Sequence, residues 1–178
     1  MGEQYTQVIM YADLTNLPKL NLPQDITIRE FKEGEEHIWL NIIDTAFETP
    51  YNFDEYMKKD PAYKPERILF ACLDGIPVAT ASAWYVDRYE KDTGYLHMVG
   101  ALPEYKGRKL GYFISLAAMI KLKEEGFKRI VLQTDDFRLP AIKTYLDLGF
   151  EVDLNSDATI PDRWEKIKET LNKKELKS

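Results

Sequence analysis

Cysteine is almost missing from this chain: Cys72 is the only one in 178 residues. A single thiol rules out an internal disulfide and any cysteine-based zinc cage. It sits in Ile68-Leu69-Phe70-Ala71-Cys72-Leu73, an apolar run where a buried strand thiol is expected and a nucleophile is not. Long hydrophobic runs are missing too. None approaches the roughly 20 residues that cross a bilayer, and no basic region followed by an apolar core opens the sequence. An excess of basic residues is also lacking: 24 Lys and Arg face 30 Asp and Glu, a formal net charge of -6. That balance argues against nucleic acid as the main partner. No Gly-x-x-x-x-Gly-Lys-Ser/Thr loop, internal repeat or low-complexity stretch is found. The expectation is a cytoplasmic protein that binds neither nucleic acid nor membrane, with no metal.

What is present is enough for a core. A hydrophobic content of 44% with 12% aromatic residues suits one packed domain. Residues 1–24 read as an N-terminal arm, since Pro18 and Pro23 forbid a continuous helix through them. Ile26–Phe31 alternates as a strand, and apolar residues from Ile38 to Phe47 recur at helical spacing within 33–48. A short helix is expected over Asp54–Lys59 with Asp54 as its N-cap. Strands over 67–73 and 76–86 flank Asp74-Gly75, a strong hairpin signal. A strand over Thr93–Leu102 follows, antiparallel to its predecessor. Then come a helix over Gly111–Glu125, a strand over Phe127–Thr134, a helix over Asp136–Leu148, a short strand over Phe150–Leu154 and a charged helix over Pro161–Lys173. Hairpins followed by a strand, helix, strand crossover predict an α/β (α+β) single domain, with a mixed sheet and helices on both faces.

The stretch that carries most chemistry is Pro103-Glu104-Tyr105-Lys106-Gly107-Arg108-Lys109-Leu110-Gly111. It joins a strand to a helix. Such a turn offers free backbone N–H groups, and the helix N-terminus adds about half a positive charge at the same point, which suits an anionic phosphate group. Gly100 interrupts the strand before it, where a bulge or a close backbone approach is expected. Along that strand, parity puts Tyr95, His97, Val99 and Ala101 on one face.

Val99-Gly100-Ala101-Leu102-Pro103-Glu104-Tyr105-Lys106-Gly107-Arg108-Lys109-Leu110-Gly111 resembles the acetyl-CoA signature of the GCN5-related N-acetyltransferases. Ala141-Ile142-Lys143-Thr144-Tyr145-Leu146-Asp147-Leu148-Gly149-Phe150 resembles the same family's closing helix and strand. The resemblance covers roughly residues 25–157 as an acyltransferase domain and leaves 158–178 as a terminal helix packed on it or extending it. It implies a mostly antiparallel sheet whose bulged central strand opens a V-shaped slot for acetyl-CoA. The backbone of Val99 and Ala101 would pair with the pantetheine arm and the acetyl carbonyl. Lys106, Gly107, Arg108, Lys109, Leu110 and Gly111 would cradle the phosphates, with the three cations facing them. The family pattern has glycine where Lys109 stands. Lysine there costs about 1–2 kcal/mol if the backbone is left-handed and little if it is helical, and the helical form is expected. Arg138 replaces an asparagine frequent in the family.

The implied reaction is acetyl transfer to a primary amine by direct attack in a ternary complex. Tyr145 matches the family tyrosine that protonates the leaving thiolate, although a helix aromatic packed on the core would look the same. For the base, His97 matches a strand histidine of the aralkylamine branch, and imidazole titrates in the useful range. A water chain or a carboxylate such as Glu104 is open as well. Phe47, Tyr51, Trp84 and Tyr85 are candidate acceptor contacts beside Asp44, Glu48, Asp54 and Glu55, a combination suited to an amine with apolar bulk. The partner is expected to be a small-molecule or peptide amine, with a homodimer left open. A non-catalytic acyl-CoA-binding module of the same fold is the alternative.

Overall fold

The computed structural model describes residues 5–177, which fall into two compact units: 13–130, and 5–12 together with 131–177. The first four residues of the expected arm, and Ser178, lie outside the described residues.

The larger unit holds four antiparallel strands, β2 (Ile26–Glu30), β3 (Ile68–Leu73), β4 (Ile76–Trp84) and β5 (Thr93–Ala101), in that order across the sheet. Asp74-Gly75 makes the expected hairpin. Both residues have positive φ, 48° and 83°, which the tight turn between Leu73 and Ile76 requires. Alternation along β3 sends Ile68, Phe70 and Cys72 into one hydrophobic cluster with Trp39, Ile42 and Ile43 of α1 (Glu36–Phe47). Helix α2 (Leu110–Glu124) packs on β3, β4 and β5. With the one-residue register shift between them counted, Gly94 and Gly100 show that the two helices take opposite faces. A Cβ on Gly94 would meet Leu122 of α2, whereas one on Gly100 would meet Ile43 and Ala46 of α1.

A partly buried ion pair closes one end of this unit. Arg67, 8% exposed, reaches Glu125 just past α2 with Nη2 to Oε2 at 2.6 Å, and donates from Nη1 to the Ala62 carbonyl at 2.8 Å. The guanidinium also lies over the Tyr85 ring at 5.2 Å.

In the second unit β1 (Val8–Asp13) lies between β6 (Arg129–Thr134) and β7 (Glu151–Val152), antiparallel to β7, with Met10 opposite Val152. From sequence, 8–13 belongs to an N-terminal arm. Burial of Val8, Met10 and Ala12 alternates along it, and that period makes it a strand. Helices α3 (Leu139–Asp147) and α4 (Ile160–Glu175) complete the unit. Arg163 of α4 ties the unit together, donating to Asp136 Oδ1 at 2.6 Å and to the Thr6 carbonyl at 2.6 Å.

Among the described residues, no helix is long and apolar enough to cross a membrane.

Candidate acetyl-CoA and amine site

Strand β5 carries the first irregularity of the site. Thr80 pairs with Gly100 and Ser82 with His97, so two steps on β4 correspond to three on β5. The extra residue is a bulge at Met98-Val99, and Met98 takes it up in a left-handed conformation, φ 49°. The bulge therefore precedes Gly100 and does not fall on it, the position expected from sequence. Its effect on the faces corrects the parity argument. Gly94 looks toward α2 and Gly100 toward α1, although six ordinary strand steps would leave both on one side. Tyr95 and His97 thus share a face with Gly100, and Ala101 points the other way. Gly100 serves close approach: its missing Cβ would lie 3.0 Å from Ile43 Cδ1 and 3.2 Å from Ala46 Cβ.

After β5 the chain makes one short helical turn at Pro103–Tyr105 and enters α2 through Lys106–Lys109. Gly107 has φ 90° and Lys109 φ 55°, ψ 29°. The expected helical Lys109 is therefore left-handed, the costlier of the two forms, because its Cβ crowds the next carbonyl. This conformation makes Lys109 the N-cap, and its carbonyl accepts the first helical bond from Phe113 N–H at 3.1 Å. No side chain caps α2. The backbone N–H groups of Leu110, Gly111 and Tyr112 have no partner among the described residues and face out of the helix end. Lys106 and Lys109 are exposed and unpaired among the described residues, whereas Arg108 forms an ion pair with Asp25, holding that carboxyl below its usual range. Two cations, not three, are left to the turn.

On the α1 face His97 stacks on Trp84 with centroids 5.3 Å apart and lies 5.9 Å from the Tyr95 ring. Its Nε2 is 3.1 Å from the Tyr56 carbonyl. A carbonyl only accepts, so Nε2 carries the hydrogen and Nδ1 keeps its lone pair. Burial holds the imidazole below its ordinary 6.5, and it is neutral at neutral pH. Tyr95 is pushed up by burial to about 12 and stays a phenol.

Around this histidine the aromatic residues divide into two groups. Phe47 and Tyr51 pack at 5.5 Å, and Tyr51 meets Tyr56 edge-on at 4.7 Å, forming a partly open wall. Asp44 fixes that wall by accepting from Tyr51 N–H at 2.8 Å. Trp84, 1% exposed, lies behind His97, and Tyr85 donates its hydroxyl to the Pro61 carbonyl at 3.1 Å. Trp84 thus supports the wall from within. The expected helix at Asp54 is a π-helical turn, Asp54–Lys58, and Asn52, not Asp54, caps it by accepting from Glu55 N–H at 3.1 Å. That asparagine is two residues upstream of Asp54, and an Asn-Phe-Asp-Glu run contains a cap signal at either polar position.

Tyr145 lies in the other unit, on α3. It is 6% exposed, its ring 5.7 Å from Phe150, and its carbonyl accepts from Phe150 N–H at 2.9 Å. Arg138 is the N-cap of α3 and pairs with Asp135 at 3.3 Å.

The sequence pattern of the "Acetyltransferase (GNAT) family" matches residues 35–150, through both units. This chain belongs to the GNAT acetyltransferase family. A mycothiol acetyltransferase of Thermomonospora curvata is 25% identical over 142 residues, 75% of this chain and 47% of that protein. The GCN5-related N-acetyltransferase from Sphaerobacter thermophilus superposes with a TM-score of 0.65 at 21% identity, over 84% of this chain and 50% of that one. Aminoglycoside N-acetyltransferase AAC(6')-Iy, solved in complex with CoA, gives a TM-score of 0.56 at 18% identity, over 71% of this chain and 88% of that one. These likenesses show the fold, a mixed and mostly antiparallel α/β architecture. The chain spans about half the length of the curated relatives it matches. The turn fits the family's ligand: uncapped N–H groups at the start of α2, with Lys106 and Lys109 beside them, are donors for phosphate oxygens.

Proposed function

We propose that this chain is an acetyl-CoA-dependent N-acetyltransferase of the cytoplasm that acts on a primary amine in a ternary complex. The observation that carries the reading is the uncapped start of α2, held open by left-handed Lys109 directly after a bulged strand. Acetyl-CoA supplies a thioester with an electrophilic acetyl carbon. The protein's part is to hold, orient and move protons. Leu110, Gly111 and Tyr112 N–H groups, with Gly107 allowing the turn and Lys106 and Lys109 adding charge, hold the phosphates. Backbone groups of Val99 and Ala101 orient the pantetheine arm and the acetyl oxygen. One N–H aimed at that oxygen is worth roughly 3 kcal/mol of barrier.

His97 Nδ1 takes the proton from the attacking ammonium or amine, a role supported by its neutral state and fixed tautomer. Tyr145 gives a proton to the leaving sulfur. Phe47 and Tyr51, backed by Trp84 and Tyr85, take the apolar part of the acceptor, with Asp44 and Glu48 near that wall on α1. Relatives named for mycothiol and aminoglycoside acetylation support a small-molecule amine as acceptor class.

Thermal unfolding with and without acetyl-CoA tests the reading. At about 100 times its dissociation constant the ligand stabilises by roughly 2.7 kcal/mol, or about 5–10 °C here. A shift of that size, absent with AMP, is the expected result. No shift at saturating acetyl-CoA refutes the site.

A further inference from the structure

The acceptor wall and the base are joined by one carbonyl. In the π-helical turn the Lys59 N–H bonds the Asp54 carbonyl at 2.9 Å, and the Asp60 N–H bonds the Met57 carbonyl at 3.2 Å. The next donor in a π ladder, five residues beyond Tyr56, would be residue 61. That residue is Pro61, which has no N–H. The Tyr56 carbonyl is therefore left without a helical donor, and His97 Nε2 fills the vacancy at 3.1 Å. π-helical turns are rare and recur at functional sites. Here the turn is anchored at its start by Asn52 and at its rings by Tyr51 against Tyr56.

We propose that the Tyr56 carbonyl, freed by Pro61, is a positioning group that locks His97 as the Nε2–H tautomer, so that Nδ1 is the base atom and the acceptor wall sets its aim. This inference rests on the reading of His97 as base. The lock has a simple energetic logic. In a ring free to choose, both tautomers are populated and only one presents a lone pair in a given direction. An N–H left unbonded in a buried site is disfavoured enough to make the bonded tautomer dominant by about fivefold or more. The groups that face the ring agree with a neutral, fixed imidazole. Trp84 on β4 and Tyr95 on β5, the strand of His97 itself, are uncharged, and Asp60, following the π turn, is the carboxylate acting on it. Nδ1 has no hydrogen-bond partner among the described residues.

The chain has two histidines, so nitrogen NMR of the full-length, 15N-histidine-labelled protein resolves them, with His37→Gln giving the assignment. Above the titration range, His97 should show a protonated Nε2 and an unprotonated Nδ1. An averaged pair of nitrogens, or the reverse pattern, overturns the lock. Pro61→Ala returns an N–H that competes for the Tyr56 carbonyl while keeping the carbonyl that Tyr85 uses. It should move His97 toward a tautomer mixture and lower kcat in proportion, with the KM for acetyl-CoA unchanged. An unaltered Nε2–H pattern in Pro61→Ala removes the role given to Pro61. The two readings fail separately: an active His97→Gln enzyme with the Nε2–H pattern intact in wild type sinks the base, and a reversed pattern with an inactive His97→Gln sinks the lock.

Discussion

Replacing Lys109 by glycine should make the protein more stable and its hold on acetyl-CoA weaker. Lys109 sits at φ 55°, ψ 29°, where a side chain costs about 1–2 kcal/mol because Cβ crowds the following carbonyl. Glycine removes that strain but brings about 0.5–1 kcal/mol of extra backbone entropy to the unfolded chain. The difference is a net gain of about 0–1.5 kcal/mol. For a chain of this length that is a rise in Tm of up to about 6 °C. The lysine side chain is exposed and unpaired among the described residues, so no native contact offsets the gain. Loss of its charge beside the phosphates should weaken acetyl-CoA by about 0.5–1 kcal/mol, roughly two- to fivefold in Kd, and more at low salt. Calorimetric unfolding gives the first quantity and titration of acetyl-CoA the second. A fall in Tm would refute the left-handed assignment, since only a helical lysine loses by becoming glycine. An unchanged Kd would remove Lys109 from the phosphate site.

Three further substitutions probe other parts of the argument. His97→Gln should lower kcat by about 10²-fold or more and remove the acid limb of the kcat/KM profile, which in wild type lies below pH 6.5 because burial depresses the imidazole. The same depression has a stability sign. The unfolded chain binds the proton more readily, so the contribution of neutral His97 is whole above 6.5 and is lost as pH falls toward the folded value. The Tm of His97→Gln should consequently drop less than wild type on acidification, and an equal drop contradicts the burial argument. Tyr145→Phe should reduce kcat while the Kd for acetyl-CoA stays within about twofold, and an unchanged kcat excludes the phenol as acid. Gly100→Ala should cost about 1–3 kcal/mol, measured by denaturant unfolding, because its Cβ would press on Ile43 Cδ1 at 3.0 Å and Ala46 Cβ at 3.2 Å in a close-packed interface. A neutral result would mean that α1 can move.

Where local chemistry alone decides structure, the sequence was readable. Asp74-Gly75 forms its turn because two consecutive positive φ values are needed and those residues tolerate them. Helix α2 starts after the basic turn and stops at Gly126, φ 96°, as its apolar spacing and terminal glycine require. Features that depend on packing were not readable. The bulge falls on Met98-Val99, two residues with good strand propensity, because the register of β4 against β5 imposes it; glycine at 100 drew attention one step too late. From that single displaced residue came the wrong assignment of faces for His97 and Ala101. Lys109 misled for a related reason. A lysine carries no local signal for a left-handed backbone, and only the geometry by which the chain enters α2 demands it. The strand at Val8–Asp13 was hidden because its partners, β6 and β7, lie more than a hundred residues away in sequence. The π-helical turn looks like any short helix until Pro61 is seen to withhold the donor its ladder would use.

Backbone strain is distributed unevenly in a way that bears on function. Among the described residues, four non-glycine residues have positive φ: Glu48, Asp74, Met98 and Lys109. Asp74 is at home in its hairpin turn, and Glu48 ends α1, where a left-handed residue is usual. Met98 and Lys109 have no such excuse, since a bulky side chain in that region is an outlier. They bracket the segment from the β5 bulge to the start of α2, and together they tie up about 2–4 kcal/mol. Such strain persists only where surrounding structure over-determines it. For Met98 the surroundings are evident, because its side chain packs on the aromatic cluster beneath α1. Lys109 has no packing of that kind, so what holds it is the path of the chain from Gly107 into the helix. A relaxed loop there would let a side chain or the chain itself cap Leu110, Gly111 and Tyr112. The strained one keeps those N–H groups available. If the strain exists to hold them open, substitutions that relieve it by re-routing the backbone, unlike Lys109→Gly, should stabilise the protein and abolish acetyl-CoA binding together.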